Sequence, residues 1–526
     1  MPVYNTGAVQ SPTDQQPPSR PLGRRLFTAR RLIGLVALAA LVAWPILRSC
    51  SPETQEPVTP PTPAREEFHA SKPLRLEFKS AAESADVAWL RYELNQLLTR
   101  GKMHIAPVAT DPVSDPKVFT LQVTMDADGK QATLALVAPD NIVDRKTSLP
   151  LPTESRLATI HTFAAALPRF LNAAHTTSDW VALLGTDDPK AYDTFLDSVL
   201  EWSGAGSPGF TQPDTAGRSP AVEKLETLIR QQPKFARAWS ALAIGYLSLG
   251  GDDETSLTQL AESKAERALT LDENLAEAHA ALGLVHLRRN EWVSAREQFA
   301  RALTLDAQTT AALEGLACLL VDAGRYREAA PFAAQAVALQ PGNQGARDCF
   351  AYTLTEAKAP AGITPRPSPV QALESLLGGD NAAAREILRS SVSAQDFSRW
   401  AEPLLSAAEN RRHIPQALQA VTLAASEKQI DPTTEILCGA ALKQSEFVFN
   451  RMSRLQRQGE RLPLRVLWMP QTKFLRQHAR FEQIVSTAGL PAFWQEQGPA
   501  DVCTDEPKLY GCQVQSTPIR PERARP

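Results

Sequence analysis

The chain has 526 residues, enough for roughly two to four domains with sizeable cores. Its formal net charge is −3 and its hydrophobic content 43%, which excludes a nucleic-acid binder that relies on an overall positive field. Six cysteines in so long a chain exclude a disulfide-scaffold fold, and prolines clustered at 58–63, at 360–369 and in the last ten residues mark linkers.

The first element is an apolar run, Leu32–Leu47 (LIGLVALAALVAWPIL), 16 residues without a charge. As a helix it is about 24 Å long, short of a ~30 Å hydrocarbon core, and snorkelling of Arg31 and Arg48 makes up the difference. Five arginines precede the run (Arg20, Arg24, Arg25, Arg30 and Arg31), so the positive-inside rule puts residues 1–31 in the cytoplasm and the bulk of the chain across the membrane. Competing readings are a cleaved signal, a lipoprotein-type segment ending at Cys50 and a twin-arginine signal at Arg24-Arg25. The first lacks a small-x-small site, and Arg48 suits the second poorly. A single signal anchor over 32–49 is the preferred reading, followed by a Pro-rich linker over 50–73.

A small α/β module follows over 74–175. Leu74–Phe78 alternates as a strand does, Val87–Thr99 has apolar residues at helical spacing, and His104–Val108 reads as a second strand. Phe119–Met125 and Thr133–Val137 flank Asp126-Ala-Asp-Gly-Lys130, a hairpin turn rather than a calcium loop, since the other ligand positions and the downstream Glu are absent. Leu157–Leu171 closes the module as an amphipathic helix, giving the order β-α-β-β-β-α.

The next signal is a repeat. ALTLD occurs at Ala268–Asp272 and again at Ala302–Asp306, a spacing of 34 residues. Ala276–Thr309 carries His279, Leu282, Gly283, His286, Ala295, Phe299 and Ala302 at one set of positions. Thr310–Asn343 matches it with Leu313, Leu316, Ala317, Leu320, Ala329, Ala333, Ala336 and Pro341. An earlier unit has Trp239, Leu242, Ala243, Tyr246, Ala261, Ala265 and Ala268, with six extra residues around 250–256. Period and pattern resemble the tetratricopeptide repeat, a helix–turn–helix unit that cannot bury its apolar face alone and therefore stacks. The fold class expected is mainly α: a tetratricopeptide-repeat solenoid over 187–360, preceded by a transmembrane helix and a small α/β module.

The resemblance implies a concave groove lined by fixed positions of each first helix. These are Arg237, Ser240, Ile244, Leu247 and Ser248; then Glu277, Ala280, Leu284, Leu287 and Arg288; then Ala311, Glu314, Cys318, Val321 and Asp322. A partial fourth unit adds Asp348, Tyr352 and Glu356. No Lys/Arg/Asn clamp for a peptide carboxylate is present. The occupant expected is an extended segment or helix of another protein, or another part of this chain. His279 and His286 lie about 10.5 Å apart along the helix, too far to share a metal ion, and read as packing residues.

Helical patterning continues without a clean period over 367–500, in pairs at 370–377 with 383–392, 397–408 with 416–426, and 435–441 with 447–455. Then come Leu467-Trp468-Met469-Pro470, Phe474-Leu475-Arg476, Arg480-Phe481, Gly489-Leu490-Pro491-Ala492-Phe493-Trp494 and Asp501-Val502-Cys503. With Asp188-Pro189-Lys190-Ala191-Tyr192 ahead of the repeats, these resemble a family of bacterial membrane-anchored signalling proteins. Such proteins join a cytoplasmic output domain, one transmembrane helix, an α/β domain like that of the Tol-system translocation protein, and repeats. No winged helix, cyclase or kinase fits before Leu32, so the resemblance implies the extracytoplasmic half with its anchor in a bacterial inner membrane.

No P-loop, GxGxxG, GxSxG, HExxH or CxxC motif occurs, so no enzyme activity, cofactor or metal is expected. Cys503 and Cys512, within a C-terminal tail over 501–526, either pair in an oxidising periplasm or stay free, while Cys318 and Cys349, close to each other if consecutive first helices stack, read as buried thiols in preference to a pair. Cys50 is placed to cross-link two chains. The functional expectation is a periplasmic scaffold or adaptor that binds an envelope protein through the repeat groove, with the α/β module free to dock or to pair two copies. The alternative is the sensor half of a transmembrane signalling system acting on a separate cytoplasmic output protein.

Overall fold

The computed structural model describes residues 68–513, except 70–71, 80–84, 107–117, 127, 153, 175, 204–218, 250–253, 341–342, 354–367 and 459. The apolar run at 32–47, the linker up to residue 67, Cys50, Pro341, Glu356 and the last residues of the tail lie outside the described part, while Phe68, expected in the linker, is buried against Phe119. Among the described residues no helix is long and apolar enough to cross a membrane.

The α/β module is one four-stranded sheet in the order β1 (Leu74–Phe78), β2 (Phe119–Met125), β3 (Gln131–Val137), β4 (Val143–Pro150). Helix α1 (Ala85–Arg100) crosses between the parallel pair β1 and β2, and the other pairs are antiparallel. The β2–β3 hairpin closes as its turn chemistry requires: Gly129 has φ 66°, and the Gln131 amide donates to Asp126 Oδ1. Of the expected strand at 104–108, residues 104–106 are described and form one bridge, Ile105 to Leu74. β4 replaces it in the sheet. Its sequence, Val-Asp-Arg-Lys-Thr-Ser-Leu-Pro, hides a strand because an edge strand is wet on both sides and carries charge against mispairing. One sheet face, with Leu121, Val123, Leu134 and Leu136, is fully buried under α1 and α2 (Arg156–Phe170). The other carries Gln122 bonded to Glu77 and Thr133 beside Ser148, a polar open face.

Helix α3 (Thr177–Ala182) lays the fully buried Trp180 against Gly101 at the end of α1. α4 (Pro189–Ser203) starts where Asp188 accepts the amides of Lys190 and Ala191 with Pro189 in the first turn. After α5 (Pro220–Gln231) the helix pairs are α6 (Ala236–Ser248) with α7 (Glu254–Leu271), α8 (Ala276–Arg288) with α9 (Trp292–Leu305), and α10 (Thr310–Asp322) with α11 (Tyr326–Leu339). α12 (Gln344–Ala351) opens a fourth unit. The repeat signature is packing. Phe299 fills the space between α8 and α10, and a Cβ at Gly283 would sit 2.6 Å from its ring; Gly315 meets the same ring from the other side.

The expected pairs of the C-terminal third are α13 (Pro369–Leu377) with α14 (Asn381–Ser391), α15 (Glu402–Glu409) with α16 (Ile414–Ser426), and α17 (Pro432–Ala441) with α18 (Ser445–Gln458). Short 3-10 turns and α19 (Lys473–Arg476), α20 (Phe481–Thr487) and α21 (Leu490–Gln497) follow. Their apolar side chains share one core with α9–α11 and α13–α18.

Candidate functional site

Several of the predicted groove positions contact other parts of this chain, Arg237 at one end of the array and Asp322 at the other. At the N-terminal end the occupant is α1. Its Glu93 carboxylate, 1% exposed, accepts Arg237 Nη2 at 2.6 Å and Nη1 at 3.0 Å, and the Tyr192 hydroxyl at 2.5 Å. Arg237 is itself 3% exposed and lies over the Phe195 ring. Burial alone would drag its guanidinium towards neutrality, but the Glu93 charge and hydrogen bonds outweigh that and hold it above its ordinary value. Burial also raises the phenols of Tyr92 and Tyr192.

The two ALTLD aspartates take the next contacts of the same helix. Arg100 Nη2 pairs with Asp272 at 2.7 Å, and Gln96 Nε2 donates to Asp306 Oδ2 at 3.1 Å. Each aspartate uses its other oxygen identically, accepting the amide two residues on, from Asn274 and from Gln308. Gln308 also reaches back to the Ala106 carbonyl. Glu93, Gln96 and Arg100 stand at i, i+3 and i+7 on one face of α1, so one helical stripe grips two successive units. Sequence reasoning missed all three, because a polar stripe on a helix normally faces water.

The C-terminal end of the groove holds residues 461–468. Asp322, with no exposed side-chain surface, accepts Arg465 Nε at 2.7 Å and Nη2 at 3.0 Å, and Arg461 Nη2 as well. Burial opposes its charge, but the two arginines win and hold the carboxyl below its usual value. The Arg465 guanidinium also lies 5.6 Å from the Tyr352 ring centroid, and its carbonyl accepts the Tyr326 hydroxyl. Beneath it Cys318 and Cys349 are joined in a disulfide, which corrects the expectation of two buried thiols: consecutive first helices bring their Cα atoms to 5.3 Å. Cys503 and Cys512 pair too, and Cys438 is buried and free.

The C-terminal motif explains itself in the same place. Trp468 Nε1 donates to Asp322 O at 2.7 Å, Trp494 Nε1 to Ala323 O at 3.0 Å, and the Asp501 amide to Gly324 O at 2.8 Å. These are the carbonyls that the end of α10 leaves unsatisfied, so the motif caps that helix in trans. Gly324 makes the approach possible. Its φ is 76°, and a Cβ there would lie 2.8 Å from Ala500 and 2.9 Å from the Trp468 ring. Gly324→Ala is expected to cost about 2–4 kcal/mol, from the left-handed backbone and the overpacking together, read as a shift in denaturant midpoint at unchanged m-value.

The remaining predicted groove residues are committed within the chain or partly buried. Ser240 donates to Arg237 O, Arg288 to Leu247 O, and Glu314 accepts Asn343 Nδ2 at 2.7 Å. Leu287 and Val321 are buried, Ile244 packs on the N-terminal core, and Leu284 bridges the two large cores. One Glu277 carboxylate oxygen is buried without a partner. His279 meets Gln298 and His286 meets Glu291, as packing residues would, and no metal-binding group of three occurs among the described residues.

Helix pairs that start 34 residues apart at α8, α10 and α12, interlocked by glycine against phenylalanine, form the stacked helix–turn–helix array that the sequence pattern led one to expect. No protein-family model and no curated protein matches the chain. Among solved structures, a thermophilic tetratricopeptide-repeat protein from Thermus thermophilus is similar at 21% identity, over 37% of this chain and 96% of that one, with a TM-score of 0.25.

Proposed function

We propose that the chain is a non-enzymatic protein–protein interaction scaffold, anchored in the bacterial inner membrane by 32–47 and working on the periplasmic side. The observation that carries the scaffold reading is the clamp itself. Two successive repeat units hold α1 through Arg237, Asp272 and Asp306, so array and α/β module form one interlocked body offered to a partner. At rest the groove ends are closed, and an envelope protein meets the chain at the half-buried centre around Leu284 or on surfaces such as the polar sheet face. The arginine-rich flank of the apolar run supports the orientation, and the two disulfides are of the kind an oxidising compartment maintains.

The test is in-cell photo-cross-linking from Leu284 and from Gln122, with the partner then purified and its binding measured directly. One envelope protein captured and bound by the purified chain supports the scaffold. No partner from either position, with the protein folded and abundant, overturns it. Placement is checked separately, by reporters fused after residue 513 that work only outside the cytoplasm.

A further inference from the structure

We infer that the junction between α1 and the repeat array is proton-responsive: it grips the α/β module more tightly as the pH falls from neutral. This goes beyond the scaffold reading and does not depend on it.

The argument is charge placement. Around Arg100 of α1 stand Glu93 from the same helix, Arg237 from α6, Asp272 from the turn before α8, and Glu277 from α8, which also acts on Asp306. The titratable neutral groups there are Tyr92 and Tyr192. Both cations are spent: Arg237 on Glu93, and Arg100 on Asp272 and the Leu183 carbonyl. The Arg100 charge is felt by Glu277 as well as by Asp272, so one cation is shared between two carboxylates. Asp306, 2% exposed, is held by neutral donors, the Gln96 side chain at 3.1 Å and the Gln308 amide at 2.9 Å, with the Thr99 and Thr309 hydroxyls beside it. Glu277 has a carboxylate oxygen buried without any partner. Docking therefore gathers four carboxylates against two guanidinium groups. A proton is the smallest species that relieves the excess.

The direction of titration agrees. Burial first, and Glu277 among the other causes, push Asp306 from 3.8 up to about 6. A carboxyl raised on docking binds a proton that the undocked state leaves in water. Its contribution is fully present below the ordinary carboxylate range and is lost as pH rises through about 6.

The experiment is hydrogen exchange of the α1 amides in the full chain from about pH 7.5 to 4.5, with protection corrected for intrinsic rates. Wild type is expected to gain roughly ten- to a hundred-fold in protection towards the acid end. Asp306→Asn keeps the shape and accepts from the Gln308 amide, and it is expected to show high protection independent of pH. Glu277→Gln is expected to move the midpoint to lower pH. Glu374, which burial pushes up to about 7, serves as the control. Glu374→Gln is expected to alter the pH dependence of overall melting while leaving that of α1 unchanged. Wild-type pH dependence persisting in Asp306→Asn overturns the inference. Should that variant not fold, an unmoved midpoint in Glu277→Gln does so.

Discussion

Glu93→Ala is expected to destabilise the protein by about 3–5 kcal/mol, among the largest effects of any single substitution outside the apolar cores. The change strands the Arg237 guanidinium, 3% exposed, and removes the acceptor of the Tyr192 hydroxyl. Both groups stay buried, so the cost is their lost solvation and not merely the lost attraction. Replacing both charges together, as Glu93→Met with Arg237→Met, is expected to cost much less, because no buried charge remains. Denaturant melts of Glu93→Met, Arg237→Met and the double variant close the cycle, with an expected coupling above about 2 kcal/mol. Because the pair joins two modules, Glu93→Ala should also split the melt, the α/β module loosening before the array. A single variant within about 0.5 kcal/mol of wild type would show that the pair does not hold the modules together.

How much of this was legible depended on what each residue packs against. The repeats were plain because close helix packing leaves small residues at fixed spacing, as Gly283, Ala295 and Ala302 show, and such packing tolerates few alternatives. β4 was hidden because half-exposed on both faces it needs no apolar alternation. The groove positions were found, but their occupant was left open between a partner and this chain, since a stripe such as Glu93, Gln96 and Arg100 reads as solvated until a second surface is known to cover it. The ALTLD aspartates looked like turn residues, and they are: one oxygen of each closes the turn. The function of the other oxygen depends on a helix 172 to 210 residues away in sequence. Arg461 and Arg465 lie in a stretch without period, where nothing in the sequence orders one arginine above its neighbours. The tryptophan motif was recognised as a pattern, but its physical content, capping the end of α10, requires the fold.

Asp322→Ala is expected to cost about 3–5 kcal/mol by the same logic at the opposite end of the groove. Here one carboxylate satisfies two arginines, and Arg465 stays enclosed between Tyr352 and the disulfide when its partner goes. pH separates charge from shape. The arginines hold the Asp322 carboxyl below its usual value, so its contribution is complete at neutral pH and is lost as pH falls through that lowered value, below about 4. Asp322→Asn keeps the outline and loses the charge. It is expected to lie well below wild type in denaturant melts at about pH 7, and the gap should narrow only as the pH falls below the usual carboxylate range and wild type takes up its own proton. A gap that stays constant with pH would assign the loss to geometry, to the Trp468 and Trp494 caps on the same turn, and not to the ion pair. Tryptophan fluorescence reports that alternative directly, because Trp468 and Trp494 donate to the carbonyls of Asp322 and Ala323 and sit edge to face 5.5 Å apart. If the ion pair is the anchor, their emission changes with the acid transition in wild type and not in Asp322→Asn.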